Sequence, residues 1–267
     1  MPLNPTAEDL IAAVQASPRA VAAHDKSAWL ALFTDDAAVH DPVGSRAHVG
    51  REAISRFYDT FIGPNTIAFD VERDLVNGRT VVRDLHIRTT MSTGATVTVP
   101  MHLRYDLVEA GAGWRITRLA AHWELPTMIA RLLRTGGQGV LAGTILGPQL
   151  VRNLGIGGAA GMMSALRGVG GAGKRLTRKL FEAAAETDIG RVRGLLGERI
   201  VIEALAGQRL TVEEFTNRAR NMRWDKLIAA GRTVSASVTF DGAAGVVFVD
   251  FAPRGVRVER VTLFLDA

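Results

Sequence analysis

Cysteine is absent from this chain of 267 residues, which excludes disulfides and thiolate chemistry. No apolar run reaches the length of a membrane-crossing helix, because glycine, proline and arginine interrupt each one. No basic-then-apolar leader is present either: Met1 to Asp9 is polar with two prolines, so the expected location is cytoplasmic. Acids are missing from residues 127–180, which carry eight Lys/Arg. Residues 1–126 hold 12 Lys/Arg against 15 acids, and residues 181–267 hold 12 against 12. The net charge of +5 and the pI near 10.2 therefore describe a basic connector, not a basic protein. Nucleic-acid binding would need those eight cations on one surface, and the flanking domains are not basic; no nucleic-acid partner is expected.

Histidine is confined to the first half, at His24, His40, His48, His86, His102 and His122. No two of them are spaced i,i+4 and none joins a ligand cluster, so neither metal nor cofactor is expected. The Gly155-Ile156-Gly157-Gly158-Ala159-Ala160-Gly161 stretch follows no strand and lacks a βαβ context, which removes a dinucleotide loop. Walker lysine, serine-elbow and aromatic RNA-binding signatures are also lacking.

What is present begins with helices. Thr6 and Asp9 can cap a helix bearing Leu10, Ile11 and Val14, and Ser17-Pro18 reads as a fresh cap and first turn. A helix around Ser27 to Phe33 turns Trp29, Leu32 and Phe33 inward, and Gly50-Arg51-Glu52 opens another with Ile54, Phe57, Tyr58 and Phe61 on its apolar side. From Thr66 the period becomes two, giving strands Thr66–Leu75, Arg79–Met91, Ala95–Val108 and Trp114–Glu124. Helices followed by a long antiparallel meander predict an α+β fold, with helices packed on one face of a curved sheet.

A shift of 163 positions lays Asp25 on Asp188, Leu32 on Leu195, Gly44 on Gly207, Arg46 on Arg209 and Val49 on Val212. It also lays Asp41 on Ala204. A duplicated fold keeps its turn glycine and apolar positions, whereas an acid is needed only where chemistry is done. The second copy reads as Leu180 to Leu196 and Val212–Trp224 helical, with strands Thr233–Phe240, Gly245–Phe251 and Val256–Leu265 and one strand pair trimmed. The expected domains are 1–126, a Gly-rich basic connector 127–179 with short helices at Thr127–Arg134 and Leu150–Leu154, and 180–267. The connector reads either as a linker packing across both domains or as a peripheral contact with anionic membrane through 127–180.

The string Phe33-Thr34-Asp35-Asp36-Ala37-Ala38-Val39-His40-Asp41-Pro42-Val43-Gly44, with Gly50-Arg51-Glu52-Ala53-Ile54 and Phe57-Tyr58, resembles bacterial ketosteroid isomerase within the NTF2-like, SnoaL-like superfamily over residues 8–125. The resemblance implies a tandem of conical α+β half-barrels, the second abbreviated, one pocket per domain, and an intramolecular pseudo-dimer of the two copies. It implies the family's established scheme, with Asp41 as the base that moves a proton next to a ketone. The family's oxyanion tyrosine falls on Ser17 and its oxyanion acid on His102, while Tyr58 keeps a tyrosine of the family's network. His102 is thus the expected enolate donor, and Asp41, His102 and Tyr58 are the expected catalytic set. Trp29, Phe33, Phe57, Phe61, His122 and Trp123 are the expected walls of a substrate pocket. Asp35 and Asp36 are expected in solvent.

Three functions remain open on the sequence: isomerisation of a 3-keto-Δ5 steroid or similar apolar ketone, a SnoaL-like polyketide cyclase or dehydratase, and a non-catalytic lipid-binding or scaffold protein.

Overall fold

The computed structural model describes residues 6–111, 113–197, 200–204 and 207–266. Met1–Pro5 and Ala112 lie outside them. The chain forms two compact units, Met1–Asp74 with Arg79–Leu166, and Leu75–Gly78 with Arg167–Ala267.

In the first unit, Thr6 and Asp9 form a capping box at the start of α1 (Ala7–Ala22), the Thr6 hydroxyl accepting from the Asp9 N–H at 3.1 Å. The expected break at Ser17-Pro18 does not occur. α1 runs through Pro18, and Arg19 donates its guanidinium to the carbonyls of Gln15 and Ala12 beside the ladder bond that proline cannot make. Ser17 is consequently an interior residue rather than a cap. Asp25 caps α2 (Lys26–Ala31), and Phe33, expected to end that helix, instead starts β1 (Phe33–His40). Along β1, Phe33, Ala37 and Val39 are buried while Asp35 and Asp36 are exposed, which is strand rather than helix spacing.

Next come β2 (His48–Val49), α3 (Arg51–Phe57) and a π-helical turn, Tyr58–Ile62. β3 (Thr66–Asn77), β4 (Thr80–Thr90), β5 (Thr96–Ala110) and β6 (Gly113–His122) fall within two residues of the expected strands. The Asn77-Gly78 turn joins β3 to β4 with Gly78 at φ 58°, where a side chain would be strained. The sheet order is β2-β1-β6-β5-β4-β3, with β1 parallel to β6. A bulge at Asp106/Leu107 bends β5 against β6.

The basic stretch is not a separate connector, and the expected boundaries at 126 and 179 give way to one at 166. α4 (Leu125–Arg134) and α5 (Gly137–Met163, kinked where Gly155 leaves helical geometry) belong to the first unit. The cause is packing. α4 buries Leu125 and Leu132, and Arg131 donates to the Thr98 carbonyl on β5. The far end of α5 is stitched to the loop after β1, with the Arg46 N–H donating to Gly161 O at 3.0 Å and Ser164 Oγ to Gly44 O at 2.9 Å. Among the described residues no helix is long and apolar enough to cross a membrane.

The second unit holds α6 (Gly170–Ala185), α7 (Ile189–Leu196), β7 (Val201–Glu203), α8 (Val212–Arg218), β8 (Arg223–Ala230), β9 (Thr233–Phe240), β10 (Ala243–Phe251) and β11 (Val258–Leu265). The expected helix from Leu180 to Leu196 is two helices, parted at Thr187 (φ 61°) and restarted by the Asp188 cap. The expected Val212–Trp224 helix stops at Arg218. Trp224 lies on β8, edge-on to Phe181 at 5.6 Å. No meander strand pair is trimmed: the order β7-β11-β10-β9-β8 repeats that of the first unit, and only β2 lacks a counterpart among the described residues. The parallel pairing recurs too, Ala38 opposite Arg118 in one unit and Val201 opposite Arg260 in the other.

Candidate active site

β1 ends at His40, and the next residue, Asp41, faces a cavity of about 160 Å³ in the first unit. One wall is helical, from Phe57, Phe61 and Ile62. The sheet supplies Ile67 from β3, Ile87 and Thr89 from β4, Val99 and Met101 from β5, and Trp123 just past β6. Alternation explains the choice: odd-numbered residues of β4 and β5 face inward, and paired residues such as Ile87 and Val99 share a side. Leu125, Met128, Ile129 and Leu132 of α4, with Met162 of α5, roof the mouth. Those α4 positions recur at i, i+3, i+4 and i+7, one face of a helix.

Asp41 receives one strong bond, from Trp123 Nε1 to Oδ1 at 2.6 Å. Burial raises its carboxyl to about 6, against the smaller lowering by that indole N–H. The residue is half-buried and lines the cavity. The Asp41-Pro42 peptide is cis. Deeper under α1, Trp29 Nε1 donates to Ser17 Oγ at 3.0 Å, and Ser17 also bonds Tyr105, whose phenol burial pushes up to about 12. These groups form a closed polar knot behind the cavity, outside its lining.

Of the expected set, Asp41, Phe57, Phe61 and Trp123 line the cavity together. His102 does not. It lies on the opposite face of β5 from Met101, fully buried, with Nε2 3.5 Å from Asp84 Oδ1. A shift of one residue along a strand exchanges faces, and the inward positions flanking His102 are Met101 and Leu103. His122 shares that outer face as the ladder partner of His102, and burial, then His102 and neighbouring arginines, keep it well below the usual histidine range. Tyr58 turns away from the cavity toward Trp29, ring centroids 5.5 Å apart, and burial raises its phenol. Trp29 and Phe33 pack on each other at 4.7 Å in the core behind the cavity rather than forming its wall. The roof residues of α4 and α5 were the main omission from the sequence reading; the apolar spacing at 125, 128, 129 and 132 was the available signal. Among the described residues no three His, Asp or Glu side chains gather as a metal site.

The model of the SnoaL-like domain family matches residues 14–119. The chain is similar to the Δ5-3-ketosteroid isomerase from Mycobacterium sp., with 32% identity over 44% of this chain and 95% of that one, TM-score 0.41. A Mycobacterium tuberculosis protein in complex with estradiol-17β-hemisuccinate matches at 29% identity over 44% of this chain and 95% of that one, TM-score 0.41. An LEH-like epoxide hydrolase from Mycobacterium tuberculosis matches at 20% identity over 53% of this chain and 98% of that one, TM-score 0.43.

Proposed function

From the premise that the chain belongs to the SnoaL-like, NTF2-like superfamily, we propose that its first unit is an acid–base enzyme that shifts a double bond in a flat apolar ketone, a 3-keto-Δ5 steroid or a close analogue. The observation that carries this reading is the Asp41 carboxyl, set among apolar walls, held by one indole N–H and raised to about 6. At neutral pH such a group is ionised, yet it is more basic than a surface carboxylate by about two pH units. With Oδ1 fixed by Trp123, Oδ2 takes a proton from the carbon between the carbonyl and the double bond. Electrons move to a dienolate, and the same proton returns two carbons away, giving the conjugated enone with Asp41 unchanged. The apolar lining runs along the sheet from Met101 on β5 to Thr93 in the turn before that strand.

The test is ultraviolet absorbance of the conjugated enone formed from a Δ5-3-ketosteroid by the full chain and by Asp41→Asn. Asp41-dependent appearance of the enone is expected. Turnover that Asp41→Asn leaves unchanged refutes the assignment.

Binding without turnover is a second reading, favoured by one observation. The inward positions on β5 are Met101 and Leu103, and Ser17 is engaged by Trp29, so neither family oxyanion donor faces Asp41. A missing donor of that kind costs roughly 10²–10³ in rate. Tight steroid binding by calorimetry, with no enone from wild-type protein, would select this second reading.

A further inference from the structure

Asp41 stands between two hollows. Beside the apolar cavity lies a second, of about 450 Å³, lined by Ser45, Arg46, His48 and Arg56 and covered by Leu154 and Met162. Asp41 and Met162 belong to both. The partition also includes Phe57, which faces the apolar side and packs its ring 5.0 Å from that of His48 on the other.

The second hollow is electropositive by construction. Burial, then the charges of Arg56, His40 and Arg46, hold His48 below the usual histidine range. Asp41 is the one acid in its lining. Arg56 meets Glu52 one helical turn away, a carboxylate that is 88% exposed and turned to solvent. Among the described residues no carboxylate lies within ion-pair distance of Arg46. Its main chain is nevertheless fixed. The Arg46 N–H bonds Gly161 O, and α5 passes so near that a Cβ on Gly161 would sit 2.8 Å from Arg46 Cβ. A fixed backbone carrying an arginine with no carboxylate beside it, facing a cavity, is suited to charge-assisted bonds with an oxyanion.

We propose that this cleft binds the anionic substituent of the ligand whose apolar body fills the adjoining cavity. The substrate class is then an amphiphile: a flat apolar carbonyl compound with a carboxylate, sulfate or phosphate near its reacting end. The inference rests on the reading of the Asp41 cavity as the substrate site and adds what that reading lacks, a group to fix which end of the body meets the carboxylate.

Calorimetric titration of the full chain with two matched pairs tests it: estrone against estrone 3-sulfate, and decanol against decanoate. The anionic member of each accepted pair is expected to bind about tenfold or more tighter, an advantage that shrinks as salt rises from about 0.05 to about 0.5 M. Arg46→Gln should abolish the preference and Arg46→Lys should restore part of it. Preference in the aliphatic pair alone would sink the steroid body but keep the anion cleft. Neutral and anionic members bound equally, or a preference that survives both Arg46→Gln and Arg56→Gln, overturns this inference while leaving the cavity reading intact. Failure of all four compounds to bind overturns both.

Discussion

Two units share a strand order but differ at nearly every polar position that faces inward in the first. Asp41 follows the parallel-paired strand β1 in the first unit, and Ala204 follows its counterpart β7 in the second. Carrying the ladder register across, Trp123 corresponds to Leu265, Tyr105 to Val249 and Arg83 to Ala236. In the helical layer the offset of 163 puts Leu180 at the place of Ser17 and Val192 at that of Trp29. All six replacements are buried members of one apolar cluster. One architecture thus stands with either interior. An acid, its indole donor and a polar knot can be exchanged for methyl, isopropyl and isobutyl groups without altering the strand order, so the polar set in the first unit is not required by the fold.

The comparison can be broken most sharply at Asp41. Asp41→Asn should lower enone formation by roughly 10²–10⁴, the span of general-base catalysis, with the Trp123 bond and the fold retained. Steady-state rates with circular dichroism as a folding control decide it. The reciprocal change, Ala204→Asp, places a carboxylate in the second unit's apolar cluster, where Leu265 cannot donate as Trp123 does. It should cost on the order of 3 kcal/mol, read by urea unfolding followed through tryptophan fluorescence. A mild effect would mean that the second interior is wetter than its buried residues imply.

Ser17→Ala should cost about 1–2 kcal/mol by leaving the buried Trp29 indole N–H without its acceptor, while Ser17→Thr keeps the oxygen. The smallest effect is a gain. Burial raises the Asp41 carboxyl from 3.8 to about 6, so the folded protein holds this proton more tightly than the unfolded chain does. The stability cost of ionising it is absent below about pH 4, grows between about 4 and 6, and is complete above. Asp41→Asn should therefore stabilise the protein above pH 6 by about 1–2 kcal/mol and not below pH 4, a difference visible in paired melts. Enzymatic kcat/KM should do the reverse in wild type, falling about tenfold per pH unit below 6 as the base is protonated.

Local signals were the most legible. The Thr6–Asp9 box, the Asn77-Gly78 turn and the alternating strands each need only a few neighbouring residues. Ser17-Pro18 has the local signature of a helix start, yet α1 runs through it, because burial of Val14, Ser17 and Val21 along one face outweighs the ladder bond lost at Pro18. Trp224 was misread because apolar spacing near Met222 fits a helix as well as a strand. His102 shows a sharper limit: alternation along β5 is legible, but which of the two faces meets the cavity is not, and one residue on a strand is the other side of the sheet. The roof from α4 and α5 could not be assigned from sequence, since its register shows that a face is apolar without showing what it covers.

That roof has a practical meaning for anyone cutting the gene. The match to the SnoaL-like domain model ends at residue 119. A polypeptide trimmed there would keep Asp41 yet lose Trp123 and every side chain of α4 and α5 above it. What remained would be an adhesive trough open to water, with an acid that titrates like any other, and an assay on such a fragment would return inactivity for the wrong reason. Ending the fragment after Leu166 keeps the chamber shut.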